Sequence, residues 1–312
     1  MNISTRRRRL PFLLSALLTF VATSMAAPSG AHAQDGVVLK PSYKAGNTYK
    51  FSQAQPMQME ANGATQNVTT DMGMTAIATK RTDGEAGVRV KTTIDSIKFA
   101  TENPALGGKM SYDSTNPVDE NSALAVQFKP ILNQPMTIIF DADGKVVDFE
   151  GFEEFMAAAG AGAQMFTKEQ FAQMADPTAM LGLGTEPKAV GATWSAEPTV
   201  DLAQMGTIRM PMELTYTKNE TVDGKECARI ETIGTAEMKM NIPGAEGTAG
   251  GVTSTDSKVT GHYLIDPELG MLRDSVVHMD LTLAIDGGGQ QMTIPIKQVV
   301  NYKLVSVEKN GG

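Results

Sequence analysis

Methionine is the residue type in this 312-residue chain whose number and spacing could do chemistry, and the chain carries 20 of them. They recur as Met-x-Met pairs: Met57 with Met59, Met72 with Met74, Met210 with Met212, and Met238 with Met240. In a strand, residues two apart point to one face, so each pair presents two thioethers together. Thioethers are soft ligands suited to Cu(I), but they are also flexible, polarizable fillers of irregular cores and apolar cavities. No His-Met cluster accompanies them, which turns the reading from copper to an apolar interior.

Conventional catalytic machinery is sparse. Beyond the N-terminal segment, the histidines are His262 and His278, and strand alternation explains both; His262 is expected at the start of a strand. There is no Gly-x-Ser-x-Gly elbow, His-Glu-x-x-His pair, Ser-x-x-Lys or P-loop. Asp141-Ala142-Asp143-Gly144 starts like a calcium loop, but Lys145 occupies the next ligand position, so a hairpin turn is expected. The acidic neighbours Glu153-Glu154 and Asp119-Glu120 read as solvated faces, and a single tryptophan, Trp194, argues against a sugar-binding cleft. The lone Cys227 forbids an intramolecular disulfide and reads as a small buried strand residue. The expectation is a protein that is not an enzyme and needs no metal or cofactor.

The elements that must position the methionines are strands. Short runs alternate apolar and polar residues between Asp-Gly, Asn-Gly and Gly-Gly pairs, the period-2 pattern of antiparallel hairpins. Val88 to Ile94 alternates after Asp83-Gly84, and Cys227 to Ile233 does so after Asp223-Gly224. Both stretches follow a Gly-x-x-aromatic opening, Gly46-Asn47-Thr48-Tyr49 and Gly191-Ala192-Thr193-Trp194. Ile138 to Val147 then matches Tyr263 to Leu272 as strand, acidic turn, strand. The sequence thus predicts a duplicated β unit.

Between the copies the period changes. Phe152, Phe155, Met156 and Ala159 recur at helical spacing, Thr167 with Gln170 forms a capping box for a second helix bearing Phe171 and Met174, and Asp176-Pro177 signals a further start. Loops are expected from Asn103 to Gly108 and from Pro243 to Gly251. The division is a signal peptide at 1–33, a first β half at 34–150, a helical insert at 151–185 and a second β half at 186–312, with 34–312 forming one unit.

Arg6 to Arg9, the apolar run Pro11 to Val21 and Ala31-His32-Ala33 form, in order, the basic, apolar and small-x-small parts of a cleavable signal peptide. Cleavage after Ala33 implies a periplasmic or secreted protein with no membrane span, since no second apolar stretch exists. All 35 acidic residues lie beyond Ala33 and four of the 27 basic ones precede it, leaving a net charge of −12. Such a surface repels phosphate backbones, so no nucleic-acid partner is expected.

The order of Tyr43 to Phe51, Tyr112-Asp113-Ser114, Phe140 to Val146 and Val190 to Trp194 resembles an exported bacterial family of β-rich proteins known as a domain of unknown function. That resemblance implies a fold and no activity. A looser architectural similarity is to periplasmic lipoprotein carriers, whose curved sheet forms a half-barrel holding acyl chains beneath helices. Both agree with the fold read from the residues: all-β, mainly antiparallel, a curved sheet or open half-barrel of two similar halves with a short helical insert.

The functional expectation is a non-enzymatic protein that binds an apolar or lipid-like small molecule in a cavity lined by Met72, Met74, Met210, Met212, Met238 and Met240. Phe152, Phe155, Phe166 and Phe171 would form its lid. The alternative is a structural or interaction protein whose partner is another protein of the cell envelope.

Overall fold

A computed structural model describes residues 38, 43–61, 63–103, 108–160, 167–175, 180–183, 186–201, 206–242, 250–287 and 290–310. The expected signal peptide, Phe166, Asp176-Pro177 and most of both expected loops lie outside these residues.

Alternation becomes strands wherever it was read. The first half contains β1 (Asn47–Ala61), β2 (Ala64–Lys80), β3 (Gly87–Asn103), β4 (Gly108–Asp113), β5 (Met136–Asp141) and β6 (Val146–Glu150). A short helix, α1 (Ala125–Phe128), precedes β5. The insert supplies α2 (Phe152–Ala159) and α3 (Lys168–Ala175). The second half opens with β7 (Thr193–Ala196), β8 (Thr199–Asp201) and β9 (Gly206–Arg209). It continues through β10 (Met212–Val222), β11 (Lys225–Gly234), β12 (Glu237–Ile242), β13 (Gly250–Asp266), β14 (Met271–Gly287) and β15 (Gln290–Lys309).

Among the described residues these strands form one open antiparallel sheet of 15, with the main path β6-β5-β3-β2-β1-β15-β14-β13-β11-β10-β7. The path contains the same five-strand meander twice: β1-β2-β3-β5-β6 and β7-β10-β11-β13-β14, with β15 between them. The register repeats as well. Gly46 and Gly191 open the two meanders with φ of 88° and 91°. Their amides donate to Ala78 O and Tyr216 O, and each is followed by the same three-residue turn bond, Asn47 to Lys44 and Ala192 to Ala189. Ala78 and Tyr216 then pair with Val90 and Ile230, which pair with Ile138 and Tyr263.

The acidic turns are equivalent too. Asp141 Oδ1 accepts from the amides of Asp143 and Lys145, as Asp266 Oδ1 accepts from those of Glu268 and Leu269. A carboxylate used this way stabilises the hairpin, which accounts for the Asp-rich turn without a cation.

Bulges interrupt the pairing at Lys50/Phe51, Gly73/Met74, Tyr216/Lys218, Thr255/Lys258 and Leu264/Ile265, each adding local bend and twist. The strands alternate cleanly: on β1, Tyr49, Phe51, Gln53, Gln55, Met57 and Met59 are buried, while Lys50, Ser52, Pro56, Gln58 and Glu60 are exposed. One face of a single sheet thus becomes the core, because a strongly curved sheet can cover its own inner face.

The insert lies where this curvature brings the two ends of the sheet. Helix α3 touches β6 at one end and β8 at the other. Lys168 pairs with Asp148 on β6, and Gln170 Nε2 donates to the carbonyl of Asp201 on β8. Further along, Trp194 Nε1 on β7 donates to Leu181 O at 2.8 Å. Strand β15 therefore joins β14 to β1 by a backbone ladder, and the insert joins β6 to β7 and β8 through side chains. The capping box forms as expected, with Gln170 N donating to Thr167 Oγ1 and Thr167 N donating to Gln170 Oε1. His262 departs from expectation: β13 begins at Gly250, so His262 lies towards its end.

Candidate functional site

The inner face of the sheet gathers the methionines. Met74, Met210, Met212 and Met238 are buried, Met72 and Met240 are half-buried, and all six pack in or against one continuous hydrophobic cluster. Both residues of the β2 pair stay inward, although Gly73/Met74 is a bulge, because the extra residue, Asp95, is on β3. Met210 lies in the link between β9 and β10, its amide held by Pro198 O. Phe152, Phe155 and Phe171 join the same cluster. Phe171 meets Phe149 of β6 and Phe152 edge-on, with ring centroids 5.4 and 5.5 Å apart. These rings dock the insert onto the end of the sheet.

Tyr49, Tyr216, Tyr302, Leu214, Ile230 and Ile296 each have at most 2% of their surface exposed, whereas Met72, Met240, Val277, Ile285 and Ile294, packed against the same cluster, are only partly buried. A surface depression of about 410 Å³ lies against α1, lined by Glu120, Ser122, Ala125, Val126 and Lys129 among others, and none of the six methionines lines it.

Polar residues that the alternation reading passed over also face inward. One row across the sheet runs Met72, Gln53, Tyr302, Ser275, Tyr263, Ile230. A parallel row runs Val68, Met57, Gln298, Met279, Val259. Thr232 on β11 lies between these rows, opposite Gly261. Gln298 Oε1, Tyr302 OH and Thr232 Oγ1 have no hydrogen-bond partner among the described residues. Tyr302 stacks at a tilt on Phe51, 5.5 Å between centroids, and burial holds its hydroxyl well above the usual phenol range. The signal was present in sequence: Gln53 and Gln55 share parity with Phe51 and Met57, and Gln298 and Tyr302 share it with Ile296 and Leu304.

The outer face carries the histidines. His262 pairs across strands with Glu231 and Val276, and burial, with Arg229 nearby, lowers its pKa. Burial raises the pKa of Asp274. His278 also faces outward and is exposed. The histidines therefore do not meet the methionine face. Cys227 is buried, and desolvation pushes its thiol up to about 11. Among the described residues, no group of three or more His, Cys, Asp or Glu could hold a metal ion. No helix there is long and apolar enough to cross a membrane.

Comparison with known proteins bears on the fold. Residues 85–179 match DUF6263, a family of unknown function. This span includes Tyr112-Asp113-Ser114 and Phe140 to Val146, and it excludes the Tyr43 and Val190 segments. No curated protein matches the chain. Among solved structures, one of lipid–protein interactions in lipovitellin is similar at 8% identity with a TM-score of 0.50, over 86% of this chain and 26% of that one. The chain thus spans about a quarter of the lipovitellin chain it matches. DynF from the dynemicin biosynthesis pathway of Micromonospora chersina is 9% identical over 90% of this chain and 89% of its own, at a TM-score of 0.26. An outer membrane channel from Pseudomonas putida is 6% identical over 88% and 100%, at 0.23. These two scores carry no argument about the fold; the lipovitellin likeness supports a large, open antiparallel sheet.

Proposed function

We propose that this chain is an exported, non-enzymatic protein that holds an apolar, lipid-like molecule against the inner face of its sheet and admits it past the helical insert. The observation that carries the reading is the single curved sheet whose inner face is one continuous cluster of Met, Leu, Ile and aromatic side chains. Its fold is similar to that seen in a structure of lipid–protein interactions in lipovitellin. Export rests on the signal-peptide pattern of residues 1–33.

A ligand settling among the most deeply buried side chains of this face must displace some of them. Methionine suits that exchange: its unbranched thioether changes rotamer and repacks at small cost. Entry past the insert follows from how the ends of the sheet are joined. Parting β15 from β1 would break a long backbone ladder, whereas parting α3 from β8 breaks side-chain contacts.

The tight burial of Tyr49, Leu214 and Ile230 also favours a second reading, a protein-interaction component of the envelope. One experiment separates them: native mass spectrometry of protein purified gently from its own envelope fraction, then rebinding of a fluorescent acyl probe after delipidation. The binding reading expects a discrete apolar adduct and probe uptake, weakened at least ~10-fold in a folded Met72→Asp variant, which places a charge on the half-buried inner face. A bare protein mass without probe uptake, or with a stoichiometric partner chain, supports the second reading.

A further inference from the structure

The polar groups inside the sheet bear on what kind of amphiphile would be held there. Gln298, Tyr302 and Thr232 are 4%, 2% and 5% exposed, yet Gln298 Oε1, Tyr302 OH and Thr232 Oγ1 lack partners among the described residues. Buried polar atoms are ordinarily satisfied, and leaving one unmet costs about as much as desolvating it, so three on one face call for an explanation. Gln298 and Tyr302 lie on one face of β15, among Met57, Met279 and Phe51, whereas Thr232 lies three strands away on β11 beside Leu214. Strand β15, which carries two of them, is separated from the helical insert by five strands on either side. A molecule entering past the insert would meet Gln298 and Tyr302 last, with its tail still along the methionines.

The charge of the site is equally informative. Among the described residues no Lys or Arg is buried, and the one buried carboxylate, Asp266, is held by Arg273 at 2.7 Å in the β13–β14 turn. An ionised head group placed beside Gln298 and Tyr302 would thus be desolvated without a counter-charge, which is strongly unfavourable. A hydroxyl or amide would instead find an acceptor in Gln298 Oε1 and a group in Tyr302 that both donates and accepts. Burial keeps the Tyr302 phenol protonated, so that donor persists at alkaline pH.

We infer that the inner face is a site for uncharged amphiphiles, with a hydroxyl- or amide-bearing head at Gln298 and Tyr302 and an aliphatic tail along the methionines. This rests on the proposed binding of a lipid-like ligand. It adds that the ligand is neutral, which separates fatty alcohols and acylglycerols from fatty acids and phospholipids.

The test is displacement of a fluorescent acyl probe from the delipidated full mature chain by dodecanol and by dodecanoate at pH 8, two ligands with one tail and different heads. Dodecanol should bind at least ~10-fold more tightly. A Tyr302→Phe, Gln298→Met double variant keeps the shape of both side chains, and in it dodecanol should weaken while dodecanoate stays weak, narrowing the ratio to about two-fold. Hydrogen exchange of β1 and β15 in the variant checks that the sheet is retained. Equal binding of the two ligands, tighter binding of dodecanoate, or a ratio unchanged in the folded variant would overturn the assignment while leaving lipid binding intact. Failure of both ligands and of the probe would instead remove the proposed function itself, and this assignment with it.

Discussion

Replacing Phe171 by Ala tests whether the insert is a separable strap across the ends of the sheet. The ring is 4% exposed and meets Phe149 and Phe152 edge-to-face, at interplanar angles of 79° and 71°. Truncating a buried Phe costs about 3–5 kcal/mol, of which each edge contact contributes about 0.5–1.5. Helix α3 spans 8 residues and is too short to persist undocked, so the loss falls first on its local opening. A loss of about 3 kcal/mol corresponds to at least ~100-fold faster exchange of the α3 amides. Hydrogen exchange read by mass spectrometry should show that acceleration in 168–175, with β1 and β15 protected as before. Acyl-probe uptake should quicken in the same variant. If β1 and β15 accelerate by the same factor as α3, the insert and sheet unfold as one body, and the argument for entry past the insert fails.

Three further outcomes follow from the packing. Arg273→Met leaves Asp266, whose side chain is 1% exposed, as an uncompensated buried carboxylate, and should cost about 3–5 kcal/mol in urea unfolding. Asp266→Asn can still accept from the Glu268 and Leu269 amides and should cost less; equal losses would mean that the ion pair adds nothing beyond the turn. His262 has a folded pKa below its ordinary 6.5, so the unfolded chain takes up the proton first and this residue's contribution to stability is lost as pH falls through 6.5 towards the folded value. His262→Gln should flatten that part of a stability–pH profile, and an unchanged slope would contradict the assignment. Finally, the Cys227 thiol, pushed up to about 11 and buried, should resist a thiol reagent at pH 8 until denaturant is added; rapid labelling of native protein would show that β11 opens locally.

Much of the architecture is written in local sequence because its causes are local. An Asp-Gly pair supplies the positive φ of a tight turn wherever it stands, as at Asp223 and Gly224 with φ of 48° and 75°. The Thr167–Gln170 capping box needs residues three apart and nothing else. The repeat was legible for the same reason: Gly46 and Gly191, or Asp141 and Asp266, do the same work in the same turn of the same meander.

The order of strands, the inward direction of each pair and the state of the interior depend on contacts far apart in the chain. Period 2 places Met72 beside Met74, but only pairing with β1 and β3 turns that face to the core, and only tertiary curvature closes the core over it. The inner polar band was hidden because Gln53, Gln298 and Thr232 are polar residues in alternating runs, which sequence reasoning assigns to solvent unless parity is traced from apolar neighbours. Composition reports how much apolar surface a chain can bury, not whether the side chains will fill the space they enclose, so the shape of the interior was not legible in the sequence. From sequence alone came two like meanders of strands and the helices between them. Their joining by β15 on one side and by the insert on the other was decided by tertiary structure, since β15 pairs with a strand from the opposite end of the chain and the insert meets both β6 and β8 only once the sheet has curved.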